Sequence, residues 1–141
     1  MTRRGLFLTI AAAPLLRADE AQDIRDFFGQ LLSALSEGNA DQFMKSFDRS
    51  MPGYGMLAAN VEALLARADV QSSVEVLSDE GTDSSRMLEL DWFLQIVEVQ
   101  PAGGTTRRRE QAHCTLVRQG KKWRMTRMEP LSLFAPPEPP R

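Results

Sequence analysis

The sequence predicts a single α+β domain in which three helices pack on a curved four-stranded antiparallel sheet. Two observations predict it. Apolar residues recur at spacings of three and four as far as about residue 68, and from Asp69 onward they alternate at a spacing of two. That change of period occurs once, so the helices come before the strands instead of interleaving with them. The 141 residues suffice for one domain with a real core and are too few for two ordinary ones.

The helices follow in order. In residues 19–37, Ile24, Phe27, Phe28, Leu31, Leu32 and Leu35 form one face, with Asp19, Glu20 and Asp23 in or before the first turn, where the helix dipole favours negative charge. "EGN" at 37–39 stops this helix at Gly38. Asn39, with Gln42 three residues on, reads as the N-cap of a short second helix carrying Phe43, Met44 and Phe47. "DRSMPGYG" breaks the chain, and a third helix runs from Tyr54 to about Ala68 with Met56, Leu57, Val61, Leu64 and Leu65 as its buried stripe.

The strands begin with Val70, Ser72, Val74 and Val76 on one face. "SDEGTDSS" turns the chain into a long strand from Arg86 to Gln100, "PAGGTT" into a third from Arg107 to Arg118, and "QGK" into a fourth from Lys122 to Glu129. In "LELDWFLQI" the alternation is strict, so Leu88, Leu90, Trp92, Leu94 and Ile96 share one face and Glu89, Asp91, Phe93 and Gln95 the other. Pairing Val99 with Arg107 sets Trp92 opposite Cys114 and Leu94 opposite Ala112, and a "QG" loop sets Leu116 opposite Trp123. The core face then comprises the five even residues of the long strand with Ala112, Cys114, Leu116, Trp123 and Met125, and the helices should lie on it. Glu98, Arg108, Glu110, Arg127 and Glu129 continue that face as a polar end. The opposite face mixes Asp91, His113 and Arg124 with Leu77, Phe93, Val97, Val117 and Met128. A face of that kind suits a homodimer through the sheet.

Ahead of the domain, residues 1–18 have the layout of an export signal: Arg3 and Arg4, an apolar run from Gly5 to Leu16, and the small residue Ala18 before acidic "DEAQD". The apolar run is too short for a permanent membrane span, and "TRRGLFL" fits a twin-arginine signal as well as a Sec signal. The expected organisation is an export signal at 1–18, the domain at 19–134 and a loose Pro-rich tail, "APPEPPR", at 135–141. Loss of the signal would remove Arg3, Arg4 and Arg17, three of the 17 basic residues, and none of the 19 acidic ones. The export product is acidic, which argues against nucleic acid as a partner. Its one cysteine, Cys114, excludes an internal disulfide.

Chemistry-bearing motifs are few. One His and one Cys on opposite faces of a strand make no zinc site, and "PAGGTT" precedes a strand, so it cradles no phosphate at a helix start. No cofactor is expected. Asp91 with His113 reads as a cross-strand polar contact on an open face.

The stretches "IRDFFGQLLSALSEGNADQFMKSF", "YGMLAANVEALLARA", "RMLELDWFLQIVEV" and "GKKWRMTRMEPLSLF" resemble, over residues 20–134, the nuclear transport factor 2-like superfamily, which includes SnoaL-like and ketosteroid isomerase-like proteins. The resemblance implies a cone whose mouth lies between the helices and the concave sheet. It also implies either isomerase or dehydratase chemistry or catalytically silent binding. The isomerases carry an acid on a short strand between the second and third helices and a tyrosine on the first helix. Here "DRSMPGYG" and the pair Phe27 and Phe28 stand at those places, so no catalytic residue carries over.

The function expected is therefore an exported, non-catalytic domain that binds a small apolar or amphipathic ligand or a protein partner. The ligand pocket expected is at the polar end of the core face, with Arg127 as its charged contact, Trp92 and Met125 deeper, and Tyr54, Glu98 and Glu110 around it. The alternatives are an enzyme using Tyr54 with Asp48, or Glu98 with Arg127, and a purely structural dimerisation module.

Overall fold

The computed structural model of the chain describes residues 5–99 and 103–138. Arg3 and Arg4 of the expected export signal, part of the "PAGGTT" loop and the last three residues of the tail lie outside the described residues. The order is α1 (Gly5–Ser36), α2 (Ala40–Met44), α3 (Tyr54–Arg67), β1 (Ala68–Gly81), β2 (Ser85–Glu98), β3 (Thr105–Gln119), β4 (Lys122–Glu129) and a single 3₁₀ turn, Leu131–Phe134. The sheet is antiparallel with strand order β1-β2-β3-β4.

The local signals act as their chemistry requires. Gly38 takes φ 71°, and the amides of Gly38 and Asn39 donate to Leu35 O and Ala34 O, closing α1. The Asn39 side chain accepts from the Gln42 amide at 3.0 Å and caps α2. Helix α1 begins earlier than the periodicity predicts and passes through Pro14 without a break. Strand β1 runs on to Gly81, well into "SDEGTDSS", and Leu77 is left over as a bulge between the Val76 and Ser78 pairings.

The two later hairpins keep the predicted faces but not the predicted partners. Leu88 lies opposite Cys114, Leu90 opposite Ala112 and Trp92 opposite Glu110. The reason is an earlier turn. The Glu98 amide donates to Gly104 O at 2.9 Å, and a Cβ on Gly103 would collide with Glu98 O, so the glycine pair lets the chain reverse closer to β2 than a Val99–Arg107 pairing allows. Gly120, at φ 68°, and Lys121 form the next loop, which sets Leu116 opposite Met125. Both displacements are even, so the face assignment survives.

A third departure does change faces. Between the Leu116–Met125 and Thr115–Arg127 pairs, Thr126 is an extra residue in β4. This bulge turns Met128 into the core, where it is buried, and turns Arg127 out to the opposite face. Arg127 and Glu129, expected on the core face, thus lie on the opposite one, and Met128, expected there, lies in the core.

The core lies between α1–α3 and the sheet. Leu88, Leu90, Trp92, Leu94, Ile96, Ala112, Cys114, Leu116 and Met125 are all buried, and Trp123 is half-buried at the margin. Arg86, the one buried charged residue among those described, bonds Asp79 at 2.7 Å and Glu20 at 3.0 Å and so ties the β1–β2 hairpin to α1.

Candidate functional site

The place for a site in a helix-on-sheet cone is the space between the layers. Here that space is filled. Trp92 and Phe134 meet edge to face at 5.2 Å, as do Trp92 and Phe28 at 5.8 Å and Phe43 and Phe134 at 5.2 Å, and Phe43 and Phe47 lie tilted to each other at 5.2 Å. Trp92, Phe43 and Phe134 have no solvent exposure. The indole N–H of Trp92 is satisfied by Ser72 Oγ at 2.8 Å, and the Ser72 hydroxyl donates onward to Phe93 O at 2.9 Å. Among the described residues no acid or base lies against these rings. The nucleophilic group of the core is the Cys114 thiol, which burial, with a smaller contribution from Asp79, pushes up to about 12. A thiol so far from ionising is inert.

Phe134 comes from the segment after β4, which crosses the mouth of the cone. Leu133 and Pro137 are buried there. Arg108 donates to Leu133 O at 2.7 Å and Ala135 O at 2.6 Å, and Arg67 donates to Pro137 O at 3.2 Å. Leu131 packs so closely on Gly53 that a Cβ at position 53 would collide with it. The tail expected to be loose is thus bonded to the domain as far as it is described.

Two further features lie outside the cone. A cleft of about 610 Å³ is lined by Tyr54, Asp48, Lys45, Arg49, Gln119 and Arg124 among others. In it the Asp48 carboxylate accepts from the Ser50 hydroxyl, the Ser50 amide at 2.8 Å and the Gln119 side chain at 2.6 Å. The Ser50 hydroxyl and then Gln119 hold its pKa at about 2. The other feature is the outer face of the sheet. Asp91 takes a bidentate ion pair from Arg109, closest at 2.6 Å, which lowers the Asp91 pKa. His113 lies opposite Glu89 instead, with Nδ1 at 3.9 Å from Oε1. Met87 and Leu77 are 64% and 50% exposed on or beside this face, and Phe93, Val97 and Val117 are half-buried in it.

No family model and no curated protein matches the sequence. Solved structures do match. A conserved protein from Planctomyces limnophilus superposes with a TM-score of 0.70 at 15% identity, covering 79% of this chain and 94% of that one. A scytalone dehydratase-like protein from Novosphingobium aromaticivorans gives 0.68 at 9% identity, with 80% and 83% covered. A nuclear transport factor 2-like superfamily protein from Salmonella enterica serovar Typhimurium gives 0.62 at 12% identity, with 79% and 89% covered. The chain has the nuclear transport factor 2-like fold.

In this nuclear transport factor 2-like cone the six residues predicted to line a pocket are not brought together. Trp92 and Met125 are in the filled core. Arg127 is exposed on the outer face, 3.6 Å from Glu129. Glu98 pairs with Arg67 at 2.7 Å, away from Arg127, and Glu110 is exposed beyond Trp92. Tyr54 is half-buried and shares its cleft with Asp48. Tyr54 and Asp48 therefore line one cleft, whereas Glu98 and Arg127 lie apart. Arg108, expected at the polar end of the core face beside Arg127, is the cation that bonds the segment after β4, and Phe134, for which no role is expected from sequence, is the filling. The signal was present in "LSLF", which is too apolar for a loop and too short for a further element. No helix among the described residues is long and apolar enough to cross a membrane, and no group of three or more His, Cys, Asp or Glu there could hold a metal ion.

Proposed function

We propose that this is an exported, non-catalytic nuclear transport factor 2-like domain that works by protein association, first of all with a second copy of itself through the outer face of the sheet. The observation that carries the reading is the filled cone. With Trp92, Phe43 and Phe134 packed against one another and no acid or base beside them, the interior has neither room for a substrate nor a group to act on it. The outer face supports the same reading. It presents exposed Met87 and Leu77 beside half-buried Phe93. Its charges run in bands along the strands, Arg107 and Arg109, then Asp91 and Glu89, then Arg127 and Arg124. A copy turned about an axis lying across the strands between Phe93 and Asp91 sets the Arg107 and Arg109 band against the Asp91 and Glu89 band.

Sedimentation of the chain from Asp19 onward tests the association. A dimer is expected, and Met87→Glu combined with Phe93→Glu should yield monomers of unchanged far-ultraviolet circular dichroism. A wild-type monomer at every concentration sampled would sink the reading. Export rests on the basic, apolar, small layout of residues 1–18. Intact-mass measurement of the extracytoplasmic protein should find an N-terminus near Asp19; recovery of the Met1 form in the cytoplasm alone would contradict it.

An enzyme in the cleft of Tyr54 and Asp48 is the second reading, favoured by their shared cleft. Against it stands the chemistry of Asp48. A carboxylate already accepting three hydrogen bonds, with a pKa of about 2, is a weak base at neutral pH.

A further inference from the structure

We propose that the segment after β4 is a displaceable internal ligand, with Phe134 occupying the cone in place of a small aromatic carboxylate that the cone binds when the segment swings out. Two observations carry this. The first is the charge at the mouth. The Arg108 guanidinium holds Leu133 O and Ala135 O, both neutral, and among the described residues no carboxylate forms an ion pair with it. A partly buried guanidinium with only carbonyl partners gains from exchanging them for a carboxylate, whose two oxygens match its fork. Between the two residues whose carbonyls Arg108 holds stands Phe134, whose ring fills the space of one aromatic ring against Trp92 and Phe43. A ring with an acid group attached reproduces both halves of what the segment supplies.

The second observation is how the segment is held. It contributes nothing to the sheet ladders, which end with β4 at Glu129. Its backbone bonds are internal, Leu133 N to Pro130 O and Ala135 N to Ser132 O. The rest of its polar anchorage is side chain to carbonyl, from Arg108 and Arg67, and its apolar anchorage is the packing of Leu131, Leu133, Phe134 and Pro137. It can leave without breaking a strand pairing or a helix, so its opening is local, while β2 and β3 open only with the whole domain. Phe134 and a ligand then compete for one place, and ligand affinity is reduced by the fraction of time the segment is closed.

The probe is benzoate, with neutral benzamide as its partner. In the wild-type domain, native-state hydrogen exchange should show the Leu133 and Ala135 amides exchanging by a local opening, well before the β2 amides, and saturating benzoate should speed them further. Calorimetry should show Phe134→Ala binding benzoate about tenfold or more tightly than wild type, since the place of the ring is then vacant. Adding Arg108→Gln to that variant should abolish the preference for benzoate over benzamide. Equal affinities in wild type and Phe134→Ala would overturn the proposal. So would Leu133 and Ala135 amides that exchange only together with β2, a result that needs no variant to fold. Neither readout depends on the oligomeric state.

Discussion

Replacing Trp92 with alanine asks whether the cone is as full as its geometry says. Trp92 has no solvent exposure, meets Phe28 and Phe134 edge to face, and donates to Ser72. Removing a buried aromatic of this size costs about 3–5 kcal/mol, the upper end applying where neighbours cannot collapse into the space. Phe28 and Phe134 approach from different elements, α1 and the segment after β4, so collapse onto the gap would need both to move. The upper half of the range is expected. With a urea dependence of about 2 kcal/mol per molar for a domain of this size, the midpoint should fall by about 2 M. Trp92→Phe keeps the ring contacts and loses the N–H donor and some volume. Ser72 still donates to Phe93 O, so no buried hydroxyl is orphaned, and a cost of about 1–2 kcal/mol is expected. Urea melts followed by far-ultraviolet circular dichroism measure both. A Trp92→Ala cost below about 1 kcal/mol would mean slack around the indole and would refute the filled cone, and with it the main argument against an interior substrate.

Breaking the Arg86 clamp by Arg86→Ala strands Asp79 and Glu20 in half-buried positions and should cost about 3 kcal/mol in the same melts. Asp91→Asn and His113→Gln, on the open face, should leave the midpoint almost unmoved; a large fall for either would show that face to be covered within the monomer. Asp48 has a folded-state pKa of about 2, below the ordinary carboxylate value, so its contribution is present above about pH 4 and is lost as the pH falls toward 2. Asp48→Asn should flatten the acid limb of stability between pH 4 and pH 2, lying below wild type at pH 7 and converging with it near pH 2. With its pKa raised to about 12, the Cys114 thiol should resist alkylation by iodoacetamide at pH 8 until denaturant is added; rapid labelling of the native domain would mean that the core face opens there.

Residues far apart in their legibility make up this protein. Periodicity and punctuation alone settled the three helices, the four strands and the membership of nine buried core-face residues, because side-chain direction follows from a period of 3.6 or 2 and survives any even slip in pairing. Asn39 and Gly38 were readable for the same reason, since a cap acts on backbone groups within four residues of itself. The pairing partners were not readable. They depend on where each hairpin closes, which for β2–β3 was decided by the close passage of Gly103 over Glu98 O. A single extra residue, Thr126, then reversed Arg127 and Met128. A bulge has no composition of its own and is fixed by what both strands pack against, so the predicted pocket around Arg127 went with it. Arg108 bonds Leu133 and Ala135, 25 and 27 residues further along the chain, and this contact exists only in the folded domain. The sequence alone thus determined which side chains face inward; whether the space between them is open or filled was decided by tertiary packing, since it depends on contacts among elements that no local pattern connects.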